Sequence, residues 1–123
     1  MMSKRILVAD DSDTVRRAVH SYLAGRDFDV CGDAVDGEDT IEKARKLKPD
    51  LILLDIAMPR TNGLETASVL KNMMPDVRIV LFTMYGEAVA RAFPRETLPV
   101  DAVVAKGNGV SGLADCVQSL LRS

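Results

Sequence analysis

Short runs rich in β-branched and aliphatic residues alternate along the chain with longer segments whose apolar residues recur at helical spacing. The runs predict strands over residues 5–9, 28–34, 50–54, 77–82 and 100–105. Such an alternation is typical of a parallel sheet that is covered by helices on both faces. We therefore predict an α/β fold built on a doubly wound parallel sheet of five strands.

The segments that follow the strands predict five helices, each bounded by a cap or a helix breaker. The first follows Ser12 or Asp13, the second spans 37–47, the third follows the turn PRTNG, the fourth spans 86–93 and the last spans 109–121. Inward-facing stripes are predicted at Val15, Ala18, Val19, Tyr22 and Leu23 of the first helix and at Val110, Leu113, Ala114, Val117, Leu120 and Leu121 of the last. Arg16 and Arg17 are interpreted as a solvated helix face, and His20 is expected to lie far from the strand ends.

Length and charge narrow the class of protein. A chain of 123 residues fits one domain spanning 1–123. Its 16 basic and 18 acidic residues give a net charge of −2, so we expect no direct binding to nucleic acid or to a membrane. The N-terminus lacks a signal sequence and no run approaches the roughly 18 apolar residues of a membrane span, which predicts a cytoplasmic protein. The two cysteines, Cys31 and Cys116, are interpreted as buried small hydrophobic residues.

Polar residues stand where four of the predicted strands end. Asp10 and Asp11 follow the first strand, Asp55 the third, Thr83 the fourth and Lys106 the fifth. In an open parallel sheet, ligands gather at the carboxyl ends of the strands, beside the point where strand order reverses. Converging carboxylates repel one another unless a cation shares their site. Oxygen donors without His or Cys favour a hard ion such as Mg²⁺ over zinc.

These residue types suit the transfer of a phosphoryl group, whose spreading negative charge must be neutralised. Asp55, which follows an apolar strand, is the candidate nucleophile toward phosphorus. Asp11, with Asp10 behind it, is the candidate ligand of the ion. Lys106 offers a point charge and Thr83 a hydroxyl donor to the phosphoryl oxygens.

Four segments, LVADDS, LILLDIAMPRTNGLE, LFTM and VVAKG, resemble the receiver domain of two-component response regulators, and the likeness covers nearly the whole chain. It implies a flavodoxin-like (βα)5 fold with strand order 2-1-3-4-5. Asp55 would accept a phosphoryl group from a histidine kinase or phosphotransfer protein. Mg²⁺ would be bound by Asp11, Asp55 and the carbonyl of Ala57, with Asp10 acting through water.

The same resemblance implies a signalling domain rather than an enzyme, with at most self-catalysed phosphorylation and dephosphorylation. Thr83 would move toward the phosphoryl group while the fourth helix, fifth strand and fifth helix repack to signal to an output domain or protein partner. A homodimer formed on phosphorylation is a further option. Val103 stands where many receivers carry a Tyr or Phe, so Tyr85 is either a substitute signalling ring or an exposed loop residue. Met84, Tyr85 and Ala57 are expected to border the site.

Two alternatives remain open at this point. The segment DSDTV, residues 11–15, resembles the first motif of haloacid-dehalogenase-type phosphatases, with Asp11 as nucleophile and Asp13 as general acid. That class needs an acidic pair beyond Lys106, where the sequence offers only Asp115, and it leaves Asp55 without a role. The other alternative is an interaction module that keeps the receiver fold without being phosphorylated.

Overall fold

The computed structural model describes residues 3–122. The strands are β1 (Lys4–Ala9), β2 (Phe28–Ala34), β3 (Leu51–Leu54), β4 (Arg78–Thr83) and β5 (Ala102–Ala105), and the helices are α1 (Asp13–Leu23), α2 (Gly37–Leu47), α3 (Gly63–Met73), α4 (Gly86–Ala92) and α5 (Leu113–Leu121). Short 3₁₀ helices span Arg95–Thr97 and Lys106–Asn108. Among the described residues, no helix is long and apolar enough to cross a bilayer.

The strands form one parallel sheet in the order β2-β1-β3-β4-β5, which confirms the predicted fold. Alternate residues of β1 enter opposite cores, since side chains alternate across a strand: Leu7 packs with one apolar cluster and Ile6 with the other. The first cluster includes residues of α2, α3 and α4, and the second includes residues of α1 and α5. The sheet is therefore covered on both faces.

Strand register gathers the predicted polar residues at one edge of the sheet. Ala9 pairs with Leu54, so the residues after β1 and β3 emerge side by side. The amide of Asp55 extends this ladder by donating to the Ala9 carbonyl at 3.0 Å. Thr83 pairs with Ala105 in the same way, which brings Lys106 to the same edge.

The helix boundaries follow local chemistry, with one correction. Ser12 caps α1 by accepting from the Val15 amide at 3.2 Å. The predicted start of the last helix at residue 109 is wrong, because α5 begins at Leu113. A 3₁₀ turn ends at Gly109, whose φ of 73° breaks the helical path in a segment that also contains Gly107 and Gly112.

The predicted stripes differ from the structure in two places: Ala18 is exposed, and Val110 precedes α5, although it is partly buried. The other members on α1 and α5 are buried or partly buried. Cys31 and Cys116 are only partly buried, which corrects the expectation of full burial. Desolvation raises the pKa of both thiols above the ordinary value, with the Arg5 charge opposing this at Cys31.

An ionic cluster joins three elements at the opposite edge of the sheet. The Asp101 carboxylate accepts hydrogen bonds from the Ile79 amide at 2.8 Å, from Lys71 Nζ at 2.7 Å and from Arg78 at 3.4 Å. Desolvation acts to raise the pKa of Asp101, but the bonds from Lys71 and the Ile79 amide outweigh it and hold the pKa below the ordinary value.

Asp101→Asn is expected to lower the free energy of unfolding at pH 7 by about 1.5–3 kcal/mol, the usual contribution of hydrogen bonds to a charged group. Because the folded-state pKa is depressed, this contribution is present above the ordinary pKa of 3.8 and is lost as pH falls through the folded-state value. Urea unfolding of both proteins at pH 7 and near pH 3 measures it. Equal loss at both pH values, or the same loss in a control Asp76→Asn variant at an exposed site, would contradict this account.

Candidate functional site

Lys106 lies between two buried carboxylates at the carboxyl edge of the sheet. Its Nζ is 2.5 Å from Asp10 Oδ2 and 2.9 Å from Asp55 Oδ2. Asp10 is 2% exposed and Asp55 5% exposed, so little water screens either pair. The structure thus brings together residues that follow β1, β3 and β5.

The two carboxylates are held in matching ways. Asp10 Oδ1 accepts from the Ser12 amide at 2.9 Å, and Asp55 Oδ1 accepts from the Ala57 amide at 3.1 Å. The second oxygen of each carboxylate contacts Lys106. Each group therefore has one oxygen on a backbone donor and the other on the ammonium, which fixes its orientation.

The contacts of Lys106 also decide its charge. Desolvation acts to lower its pKa, but the hydrogen bonds and negative charges of Asp10 and Asp55 outweigh this and raise the pKa above the ordinary value of 10.5. The ammonium also lies 5.9 Å from the centre of the Phe82 ring. Lys106 is therefore a fixed cation at neutral pH.

Asp11 completes an acidic cluster at the solvent side. It is exposed, and one of its carboxylate oxygens lies within 4.8 Å of one oxygen from each of Asp10 and Asp55. Three carboxylates and one lysine carry a formal charge of −3 + 1 = −2. This all-oxygen donor set with net negative charge fits a hard divalent cation such as Mg²⁺.

A glycine shapes the loop that leaves this cluster. A Cβ atom on Gly63, at the start of α3, would lie 2.4 Å from Ile56 Cα. The absence of a side chain lets α3 pack directly against the backbone that follows Asp55. Ala57, which follows Ile56 in this loop, is exposed.

Thr83 is fully buried at the end of β4, and its hydroxyl accepts from the Tyr85 amide at 3.3 Å. Tyr85 is 56% exposed and Met84 is exposed as well. Tyr85 is therefore exposed beside the site in this structure, and its part in signalling stays a prediction. Val103 is partly buried, pairs with Leu81 and packs against the apolar cluster beneath α4.

Asp13 does not join the acidic cluster. It lies in the first turn of α1, where it accepts from Arg17 at 2.9 Å and from Arg16 at 3.3 Å. Asp13 is therefore placed as an acid at a helix N-terminus, and nothing in its surroundings favours the general acid of a phosphatase.

The interpretation of Arg16 as part of a solvated helix face is wrong. Its side chain is only 15% exposed, whereas that of Arg17 is 81% exposed as expected. Arg16 donates to the carbonyl of Asp10 at 2.7 Å. The available signal was its position next to Val15 on the flank of the inward stripe. The expectation that His20 lies far from the strand ends is also wrong, because its Nε2 is 2.7 Å from the carboxylate of Asp33, the penultimate residue of β2.

Fold and site together define a doubly wound α/β protein with an acidic cluster and a paired lysine at its switch point. The family model of the response regulator receiver domain matches residues 6–113. The chain belongs to this family and is a receiver domain of a two-component response regulator. Such domains are generally signalling domains rather than enzymes.

Curated relatives agree with this assignment. The response regulator protein VraR of Staphylococcus saprophyticus is 37% identical over 120 residues, which is 95% of this chain and 56% of the relative. The response regulator GacA of Pseudomonas viridiflava is 39% identical over 117 residues, covering 94% of this chain and 53% of the relative. The chain therefore spans about half the length of these relatives.

Solved structures show the same architecture. The response regulator TrrA of Thermotoga maritima, in complex with Mg(2+)-BeF, has a TM-score of 0.84 at 30% identity and covers 96% of this chain and 99% of that one. A LuxR-family two-component response regulator from Aurantimonas sp. SI85-9A1 has a TM-score of 0.86 at 24% identity, covering 98% of this chain and 86% of that one. The second likeness concerns the fold alone.

Proposed function

We propose that this receiver accepts a phosphoryl group on Asp55 in a Mg²⁺-dependent reaction, the donor being the phosphohistidine of a histidine kinase or phosphotransfer protein. The observation that carries the proposal is the Lys106 ammonium held between Asp10 and Asp55, with the exposed carboxylate of Asp11 beside them. A cation, an acidic cluster and a candidate nucleophile at one strand edge are the parts that phosphoryl transfer requires.

In the proposed step, an oxygen of Asp55 forms a bond to phosphorus as the phosphorus–nitrogen bond of the donor breaks, and the donor imidazole takes up a proton. Lys106 would neutralise charge on a phosphoryl oxygen, and Thr83 would donate its hydroxyl to another. Asp11, Asp55 and the Ala57 carbonyl would hold Mg²⁺, with Asp10 acting through water. When bound, the ion supplies further positive charge to the phosphoryl oxygens. The complex of the related TrrA with Mg(2+)-BeF supports the binding of Mg²⁺ by this receiver.

Phosphorylation would also change the surface through which the receiver signals. Movement of Thr83 toward the phosphoryl group would repack the face formed by α4, β5 and α5, which then signals to an output domain or protein partner, or forms a homodimer on phosphorylation. Val103 leaves that face without the aromatic ring of many receivers. We further propose that residues 1–123 form one domain. We also propose that this domain is phosphorylated by its kinase in the cytoplasm. The net charge of −2 argues against direct nucleic-acid binding.

Intact mass measured after incubation with a small phosphoryl donor tests the function. We expect one phosphoryl adduct in Mg²⁺ and none when a chelator replaces the metal. Acetyl phosphate and phosphoramidate should both be used, because the phosphorus–nitrogen bond of phosphoramidate resembles that of phosphohistidine. No adduct with either donor contradicts the proposal and favours the non-phosphorylated interaction module.

Asp11→Asn is expected to leave the fold intact and to raise the dissociation constant for Mg²⁺ by about tenfold or more, because it removes one charged oxygen ligand from an exposed position. An NMR titration of backbone amides with Mg²⁺ measures both properties. Asp76→Asn serves as the control, because it removes the same charge from an exposed residue outside the acidic cluster. Unchanged Mg²⁺ affinity in Asp11→Asn would count against the ligand assignment.

A further inference from the structure

The guanidinium of Arg16 joins the acidic edge to the structure behind it. Nη1 donates to the Asp10 carbonyl at 2.7 Å, and Nη2 donates to the Asp13 carboxylate at 3.3 Å. Nε lies 3.8 Å from Asp33 Oδ2, on the neighbouring strand β2. One side chain therefore ties the loop after β1, the first turn of α1 and the end of β2 together.

Asp33 is itself held in place. Its other carboxylate oxygen is 2.7 Å from His20 Nε2, and its carbonyl accepts from Lys43 Nζ at 2.5 Å. The Asp33 carboxylate that faces Arg16 is thus held by His20 of α1, and the backbone of Asp33 is held by Lys43 of α2. With Asp33 held in place, the planar guanidinium of Arg16 has few positions in which it can reach Asp10, Asp13 and Asp33 together.

The Asp10 backbone is consequently held from both sides. Its amide donates to the Ala34 carbonyl at 2.9 Å, and its carbonyl accepts from Arg16. That carbonyl belongs to the peptide bond that carries the amide of Asp11, so its direction sets the direction of the next residue. Asp11 is exposed, so packing does little to orient it and its backbone must do so.

We infer that Arg16 is a positioning residue, which sets the Asp10–Asp11 peptide so that the Asp11 carboxylate points at the cation site. The inference rests on the proposed function, since it assigns Arg16 a part in binding Mg²⁺. Groups that orient metal ligands from behind commonly change metal affinity by 10–100-fold when they are removed. Arg16 itself touches neither the ion nor the phosphoryl group in this scheme.

Charge alone makes the opposite prediction. Arg16 is a cation close to an acidic cluster, so its removal should strengthen the binding of a second cation by Coulomb's law. A positioning role predicts weaker binding in spite of this gain. Arg17 provides the electrostatic reference, because it is the next residue of α1 and also pairs with Asp13. Its side chain is 81% exposed. The sign of the change therefore separates the two effects.

The test is a titration with Mg²⁺ alone, followed by backbone amide NMR, on wild type, Arg16→Met, Arg16→Lys and Arg17→Met. We expect the dissociation constant to rise about tenfold in Arg16→Met and to stay within about twofold in Arg17→Met. Arg16→Lys keeps the charge but offers one donor nitrogen in place of three, so its affinity for Mg²⁺ should fall between those of the two Met variants. The phosphorylation rate with acetyl phosphate should drop in Arg16→Met at limiting Mg²⁺ and recover largely at saturating Mg²⁺.

Affinity in Arg16→Met that equals or exceeds that of wild type overturns the inference, even if the melting temperature falls. If Arg16→Met does not fold, Arg16→Lys decides: wild-type affinity in a folded Lys variant overturns the role of the guanidinium contacts. A wild-type chain that binds no Mg²⁺ contradicts the proposed function itself. The two failures are thus distinguishable in one set of titrations.

Discussion

Asp55→Asn is expected to slow formation of the phosphoryl adduct by more than about 10³-fold, because the substitution removes the attacking group and leaves other parts of the site in place. A neutral amide oxygen is a poor nucleophile toward phosphorus. The side chain keeps its size and can still accept from the Ala57 amide, as Asp55 does at 3.1 Å. Intact mass after incubation with acetyl phosphate and Mg²⁺ gives the result directly.

Asp10→Asn is the matched control for this prediction. It also removes a buried carboxylate that contacts Lys106, yet it leaves Asp55 intact. We expect a slower reaction in Asp10→Asn with the adduct still on Asp55, as peptide mapping would show. A full adduct on Asp55→Asn would contradict the assignment of the phosphoacceptor and would favour Asp11 as the nucleophile.

The site was predictable because it depends on topology more than on side-chain detail. Once five parallel strands are assigned, their common direction places the residues after β1, β3 and β5 at one edge, and the strand order makes β1 and β3 neighbours. The adjacent pair Asp10 and Asp11 then divides into two environments, since one is 2% exposed and the other lies at the surface. This division agrees with the prediction that Asp10 lies behind Asp11.

What escaped prediction depends on contacts between distant segments. Arg16 has a charged side chain on a helix, which normally faces water, but here the guanidinium packs against the Asp10 carbonyl and Asp33 of β2. The late start of α5 has a different cause. Apolar spacing over 109–121 suits a helix throughout, but the glycines at 107, 109 and 112 favour turns that the spacing does not reveal.

Lys106→Met is expected to impair both stability and phosphorylation. Lys106 is the ammonium between two carboxylates whose side chains are nearly buried, and removing one partner from a buried ion pair commonly costs about 3–5 kcal/mol. Loss of a positive charge aimed at the phosphoryl oxygens should lower the phosphorylation rate by about 10²–10³-fold at saturating Mg²⁺. Urea unfolding and the rate of adduct formation measure the two effects separately.

Mg²⁺ should restore much of the stability lost in Lys106→Met. Without the ammonium, the cluster of Asp10, Asp11 and Asp55 faces the ion with no competing cation. A ligand that binds only the folded state stabilises that state. Because the pKa of Lys106 is raised in the folded state, its contribution to the free energy of unfolding is complete below the ordinary pKa of 10.5. That contribution is lost only as pH rises through the folded-state pKa. The ammonium is therefore present throughout the neutral range. Lys46→Met, at an exposed lysine, is the control and should change neither property. Equal stability of wild type and Lys106→Met in a chelator would mean that the two acids tolerate each other without the lysine, and the electrostatic account of the site would then fail even if phosphorylation were lost.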